Sequence, residues 1–290
     1  MPLRDILVHV DPSESGKTRL RLGAGLAARH AARLTALYVR EYSIEQQRRL
    51  RVSELGLVPG KHADLLARHV EHELDADAYA LRELLVQLQQ VHAIDAIWRA
   101  ADGQAKRIVP QHSRYADLTI VDHDTSVNTD LPDGYSFAEA MLFTSGRPLL
   151  IVPSGERLIS DDATLGRRIA VAWNSSRASA RALSDALPLI EQAERTTVLF
   201  VDAAEPARPD QLPTTNVIDH LRLHCRNVHG HAQPVTNRPI GELLQTVALE
   251  EGADLLVAGA HGRAGLWEKL LGRVTRDLLA RMRLPLLMSY

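Results

Sequence analysis

Gly259, Gly262 and Gly272 stand in the spacing Gly-x2-Gly-x9-Gly, directly after the apolar run Leu255-Leu256-Val257-Ala258. A turn rich in glycine lets the main chain approach a ligand closely and take up φ > 0 without a steric penalty. Main-chain N–H groups at such a turn, followed by a helix N-terminus, attract an anion. A phosphate-bearing ligand is therefore the chemistry this spacing points to first. Arg273, next to the last glycine, is placed either to add charge-assisted contacts to a phosphate or to stand solvated at a helix start.

Other reactive residue types offer less. His220 and His224 are four apart beside Cys225, with His229 and His231 close by, and an i, i+4 histidine pair can seat zinc. No carboxylate accompanies them in a fixed pattern, and with 13 histidines in the chain such pairs arise by chance, so exposed histidines are the expectation here and at His69 and His72. Cys225 has no base placed for it and reads as an inert thiol. Ser13 and Ser176 each follow an apolar run and open a helical pattern, which fits N-capping. The sequence contains no Gly-x4-Gly-Lys-Ser/Thr cradle and no paired carboxylates placed as acid and base.

The elements that hold these residues are written twice. Ile6-Leu-Val-His-Val10-Asp11-Pro12-Ser13 lies over Ile169-Ala-Val-Ala-Trp173-Asn174-Ser175-Ser176. Apolar stripes at helical spacing follow both, through Leu20, Ala24, Ala27, Ala28 and Ala31 in one and Ala182, Leu183, Ala186, Leu187 and Ile190 in the other. A second apolar run comes next, Leu34 to Val39 and Thr196 to Val201. Later, Ala116-Asp117 matches Ala253-Asp254 and Pro148 matches Pro285, both at an offset of 137. Two copies of one module follow. Apolar runs alternating with helical patterns predict βαβ units and a parallel sheet buried on both faces.

Residues 1–153 and 167–290 are the expected modules, with 154–166 as linker. Each module ends on a short apolar strand, Leu149 to Val152 or Leu286 to Met288. An open edge must be paired or covered, and the same strand of the other copy is the expected partner, giving an internal pseudo-dimer. Between Glu41 and His92 the first copy carries a long polar insertion, whose leucines at 81, 84, 85 and 88 predict a helix.

Bulk properties narrow the class. The chain has 290 residues, 45% hydrophobic and 24% charged, with a net charge of −2. That balance provides no electrostatic footprint for nucleic acid or an anionic membrane. A single cysteine, no apolar stretch near the ~20 residues of a membrane span and no secretory leader at Met1 predict a cytoplasmic protein.

In an open α/β sheet, ligands bind beyond the carboxyl ends of the strands where the strand order reverses. In the second copy the loops after its first and fourth strands, Asn174 to Ser176 and Gly259 to Gly272, should meet there. Trp173 and Trp267 stand beside this crevice, either walling it or packing beneath it. At the 137 offset the glycines become Asp122, Thr125 and Tyr135 in the first copy. Carboxylates at Asp122, Asp124 and Asp130 should repel phosphate, so at most one site per chain is expected, even though Asp11 and Ser13 are kept.

These residues together resemble the universal stress protein family in its tandem two-domain form. Gly259-x2-Gly262-x9-Gly272 matches that family's ATP-binding signature, and Ala253-Asp254, His261, Leu270-Leu271 and Pro285 match around it. The resemblance implies two doubly wound, five-stranded parallel α/β modules of the adenine nucleotide alpha hydrolase type, with ATP, ADP or AMP in the crevice and Mg2+ as a companion ion.

By position it implies Ala172, Asn174, Ser176 and Val201 on the nucleoside side. Gly259, His261, Gly262, Arg263, Gly272, Arg273, Val274 and Thr275 fall on the phosphate side. Two positions depart from the pattern: Arg273 stands where a Ser or Thr hydroxyl is usual, and Asn174 where an Asp is usual. The implied function is regulatory and non-catalytic, at most a slow ATPase, since no general base is visible. The alternative is a nucleotide-independent dimerisation or interaction protein of the stress response, with a homodimer as a further possibility and its protein partner open.

Overall fold

A computed structural model of the chain describes residues 2–41, 60–123, 136–153, 165–202, 215–260 and 272–290, without the side chains of 60–73, 202 and 215. Ten strands and eight helices are present among them. In the first half these are β1 (Asp5–Val10), α1 (Glu14–His30), β2 (Arg33–Arg40), α2 (Gly60–His92), β3 (Ala96–Asp102), α3 (Ala105–Ser113), β4 (Leu118–Asp122), α4 (Phe137–Thr144) and β5 (Leu149–Val152). In the second half they are β6 (Arg168–Ala172), α5 (Arg177–Ile190), β7 (Arg195–Asp202), α6 (Thr215–Arg222), β8 (Val228–Pro234), α7 (Ile240–Glu250), β9 (Leu255–Gly259), α8 (Arg273–Ala280) and β10 (Leu286–Ser289).

All strands join one sheet in the order β3-β2-β1-β4-β5-β10-β9-β6-β7-β8. Every neighbouring pair is parallel except β5 and β10, which run antiparallel with Leu287 opposite Leu150. The order within one half repeats, mirrored, in the other. The expected pairing of the two terminal strands is thus the seam of the molecule, and it removes the open edge that each half would otherwise present.

Alternation along each strand divides the core in two. Ile6, Val8 and Val10 of β1 face the side covered by α1 and α2, a core continued in the second half by α5 and α6. Leu7 faces the opposite side, packed with Val109, Met141 and Leu142, and with Leu243, Val247, Leu278 and Leu279 of the second half. Each core runs through both halves. The central strands are buried on both faces, which is why they read as unbroken apolar runs.

The paired Ala-Asp dipeptides have a structural use. Asp117 accepts from the N–H groups of Arg4 and Asp5 at 2.8 and 3.0 Å. Asp254 accepts from those of Gly166, Arg167 and Arg168 at 2.8, 2.9 and 3.1 Å. Each carboxylate therefore staples the start of its half's first strand to the fourth. Burial pushes the Asp254 carboxyl above its ordinary range, against the pull of those three N–H groups. Of the expected linker, residues 154–164 lie outside the described residues. Leu165 is buried in the core, and Gly166 takes a φ of +80° that favours glycine.

The helix predicted from leucines 81 to 88 extends back to Gly60, 33 residues in all. Leu74, Leu81, Leu85 and Leu88 are buried, and α2 packs beside α1.

Candidate functional site

The switch points of the two halves lie between β1 and β4 and between β6 and β9, and their walls can be compared residue by residue. In the second half, Asn174 follows β6 and its Oδ1 accepts from the Ser176 N–H at 3.2 Å, a local turn in which Ser175 takes a φ of 57°. Ser176 caps α5 by accepting from the Ser179 N–H at 3.1 Å. Asn174 is exposed, and Ala172, Ser176 and Val201 are half-buried. Ala172 and Val201 pack with Val274, from the start of α8, against the core beneath α7 and α8. The structure thus gathers these three on one face of the sheet at the carboxyl ends of the strands.

Gly259 ends β9 against the first turn of α5. A Cβ built on it would stand 2.3 Å from the Ala178 carbonyl carbon and 2.6 Å from the Ser179 nitrogen. That contact brings the end of β9 to the cap formed by Ser176. It also corrects, at two of the three glycines, the expectation of φ > 0: Gly259 does not take a positive φ, and Gly272 has φ −62° and ψ 154°. Close helix–strand packing, rather than a left-handed turn, accounts for the missing side chain at Gly259. His261, Gly262 and Arg263 lie outside the described residues, as does Trp267. Trp173 packs against the core under α1 and α5, the opposite face from Ala172 and Val201.

Gly272 begins α8 with no side-chain cap, and no acidic residue lies in the first turn. Arg273 and Arg276, both exposed, occupy that turn instead, while Thr275 is buried. Two cations at the positive end of a helix oppose its dipole unless an anion is near. The equivalent helix of the first half satisfies itself. Ser136 accepts from the Glu139 N–H, and the Glu139 carboxylate accepts from the Ser136 N–H at 2.7 Å, a full capping box. At the 137 offset, Glu139 corresponds to Arg276.

The first crevice is filled by its own side chains. His9 stands where the second half has Ala172, and its ring packs on Phe137, the counterpart of Val274, with centroids 5.4 Å apart. Burial, then the Arg19 charge, lowers the His9 imidazole from 6.5 to about 4, with the Asp11 charge pulling the other way. Arg19, the counterpart of Ala182, is wholly buried and bridges Asp11 and Asp122. Burial raises the Asp11 carboxyl, but the Arg19 charge and the Ser13 hydrogen bonds outweigh it and leave the group below its ordinary range.

This revises the expectation at Asp122. It pairs with a buried guanidinium 3.1 Å away, so this carboxylate is matched by a cation within the chain rather than left bare to repel phosphate. Asp124, Thr125, Asp130 and Tyr135 lie outside the described residues. The signal for Arg19, His9 and Phe137 was present in the sequence as substitutions against Ala182, Ala172 and Val274.

The histidine cluster is ordinary surface. His220 and His224 stack edge to face at 5.1 Å, and His224 Nδ1 lies 3.3 Å from Glu191. Cys225 is buried, its sulfur 3.8 Å from the Thr196 hydroxyl. Among the described residues, no group of three or more His, Cys, Asp or Glu is placed to hold a metal, and no helix is long and apolar enough to cross a membrane.

The family model described as "universal stress protein family" matches residues 166–289. Among solved structures, one similar to this chain is a universal stress protein from Archaeoglobus fulgidus, at 17% identity and a TM-score of 0.70, covering 98% of this chain and 97% of that one. A functionally unknown protein from Pseudomonas aeruginosa is similar at 15% identity and a TM-score of 0.59, covering 99% of this chain and 92% of that one. At such identities the likeness is one of fold, and it extends over both halves. No curated protein matches the chain.

Proposed function

We propose that this chain, whose residues 166–289 match the universal stress protein family and whose two halves share one fold, is a regulatory protein that binds one adenine nucleotide in its second module. The observation that carries this reading is the difference between two otherwise equivalent crevices. Where the first half has His9, Arg19, Phe137 and Asp122, the second has Ala172, Ala182, Val274 and Gly259. Every one of these exchanges removes bulk or charge. The helix behind the second crevice also lacks a cap and carries Arg273 and Arg276 at its positive end. Small apolar side chains on one wall and a cationic helix start on the other suit a flat base joined to phosphates.

Within this reading, Ala172, Val201 and Val274 form the apolar wall, and Asn174 and Ser176 face the sugar. Gly259, His261, Gly262, Arg263, Gly272, Arg273 and Thr275 form the phosphate segment, and any Mg2+ would be held by the phosphates themselves. A cytoplasmic, regulatory role accompanies it.

Calorimetric titration of the whole chain with ATP, ADP and AMP tests the reading. One equivalent of nucleotide is expected, lost in Gly262→Asp. The pair Ala172→His and Val274→Phe, which imports the first half's side chains, should weaken binding by more than roughly tenfold, or ~1.4 kcal/mol. No heat from any nucleotide would overturn it. A second reading, a nucleotide-independent interaction protein, draws support from Gly259. Its missing side chain is already required by the approach of α5, so that glycine alone does not call for a ligand.

A further inference from the structure

Arg19 lies on the second turn of α1 and has no exposed side-chain surface, an unusual state for a guanidinium. Its hydrogen bonds go almost entirely to the walls of the first crevice. Nε donates to the His9 carbonyl at 3.2 Å, and Nη1 donates to the Ser15 hydroxyl at 3.0 Å. Nη1 also reaches the Asp122 carboxylate at 3.1 Å, and Nη2 pairs with the Asp11 carboxylate. The acceptors come from the ends of β1 and β4 and from the first turn of α1, so they converge on one point from three elements.

A planar fork of donors suits two carboxylates set apart in this way; a compact ammonium would not bridge them as well. Both carboxylates stay partly exposed, at 33% and 23%, so the crevice opens toward water on the acidic side while the cation is sealed beneath. In the second half the same places hold Asn174, Gly259 and Ala182, and neither the receptor nor its occupant exists there.

We propose that the crevice of the first half is a guanidinium site that carries its occupant on its own chain. It neither needs nor accepts a nucleotide. Truncation of Arg19 leaves a cavity that takes a free guanidinium-type cation from solution. This stands apart from nucleotide binding by the second module, because the residues tested are not shared.

The experiment is chemical rescue, read by thermal unfolding of the full chain. Arg19→Ala should melt below the parent. Low, non-denaturing guanidinium chloride should return most of the lost stability, saturably and beyond the effect of equal sodium chloride, while the parent is not raised. Adding Asp11→Asn and Asp122→Asn to Arg19→Ala should abolish the rescue. An Arg19→Ala protein that guanidinium does not stabilise overturns the proposal, as does rescue that survives loss of both carboxylates. If Arg19→Ala does not fold, nitrogen NMR of the parent decides. The Arg19 side-chain signals, assigned by their disappearance in Arg19→Lys, should exchange slowly with water and show separate Nη resonances. A freely rotating, fast-exchanging guanidinium there would overturn it equally.

Discussion

At Gly259 two explanations for a glycine can be separated by stability alone. Alanine there would press its Cβ to within 2.5 Å of the Ala178 carbonyl oxygen, a backbone atom with no rotamer to escape into. Gly259→Ala is therefore expected to cost ~1–3 kcal/mol in urea unfolding without ligand. Gly272, at φ −62°, has a backbone conformation open to any residue, and Gly272→Ala should cost only ~0.5 kcal/mol, the N-cap preference for glycine over alanine. Equal effects at the two positions would refute the packing account. Acid acts on a different pair of residues. Burial, then a neighbouring arginine, lowers His9 and His30 from 6.5 to about 4. The unfolded chain takes up those two protons near 6.5, whereas the folded chain resists until about 4. Stability should thus be full above pH 6.5, fall as pH drops through that window, and level off below it. Asp11, with its carboxyl held low, is still ionised in the folded chain over most of this range and adds its own loss only at the acid end. Urea midpoints measured across the window check this, and His9→Phe should make the fall shallower. A profile flat through the window would exclude the buried neutral histidines.

Helices α4 and α8 occupy equivalent places but begin in opposite ways, and this asymmetry exists only at the level of the element. Ser136→Ala removes one side of a capping box and should cost about 1 kcal/mol in urea unfolding. Gly272→Ser offers α8 the cap it lacks. The expected result is a gain of a few tenths of a kcal/mol without ligand and a weaker rise in melting temperature on adding ADP, because the new hydroxyl competes for the same N–H groups. A stronger rise with ADP would count against phosphate at this helix. Elements of this kind were largely readable in the sequence, since buried parallel strands show as apolar runs and helices on a flat sheet as stripes three and four apart. The start of α2 was not, because the sequence there is dense in charged residues and histidines, and the stripe that predicts the helix begins only at Leu81, with Leu84, Leu85 and Leu88. Arg19 was hidden for another reason. Within α1 it reads as one more solvated arginine, and only its alignment with Ala182, together with carboxylates brought from two strands, reveals a buried one. The packing role of Gly259 depends on a helix about 80 residues away in sequence and has no local signature at all.

Across the whole molecule, β5 against β10 turns two repeats into one body. Repetition in the sequence implies two modules but leaves open whether they fold together, since tandem modules on a linker often unfold separately. The reason to expect one unit is that neither core stops at the seam. Leu150 and Leu287, opposite each other, belong to the core beneath α1 and α5, while Leu149, Ile151, Leu286 and Met288 belong to the other. Separating the halves would bare both sets of leucines and two strand edges at once, a cost that grows with apolar area at ~25 cal/mol per Å². Each half also carries a reporter, since Trp98 stacks on Tyr38 in the first and Trp173 packs on the α5 side in the second. Two variants that keep only Trp98 or only Trp173 should therefore show coincident fluorescence transitions in urea, with the same midpoint and slope. Leu287→Asp, which sets a charge in the seam, is expected to lower the stability reported from both tryptophans rather than only the nearer one. Two separate midpoints, or a loss confined to Trp173, would mean that the continuous sheet joins two independent folding units.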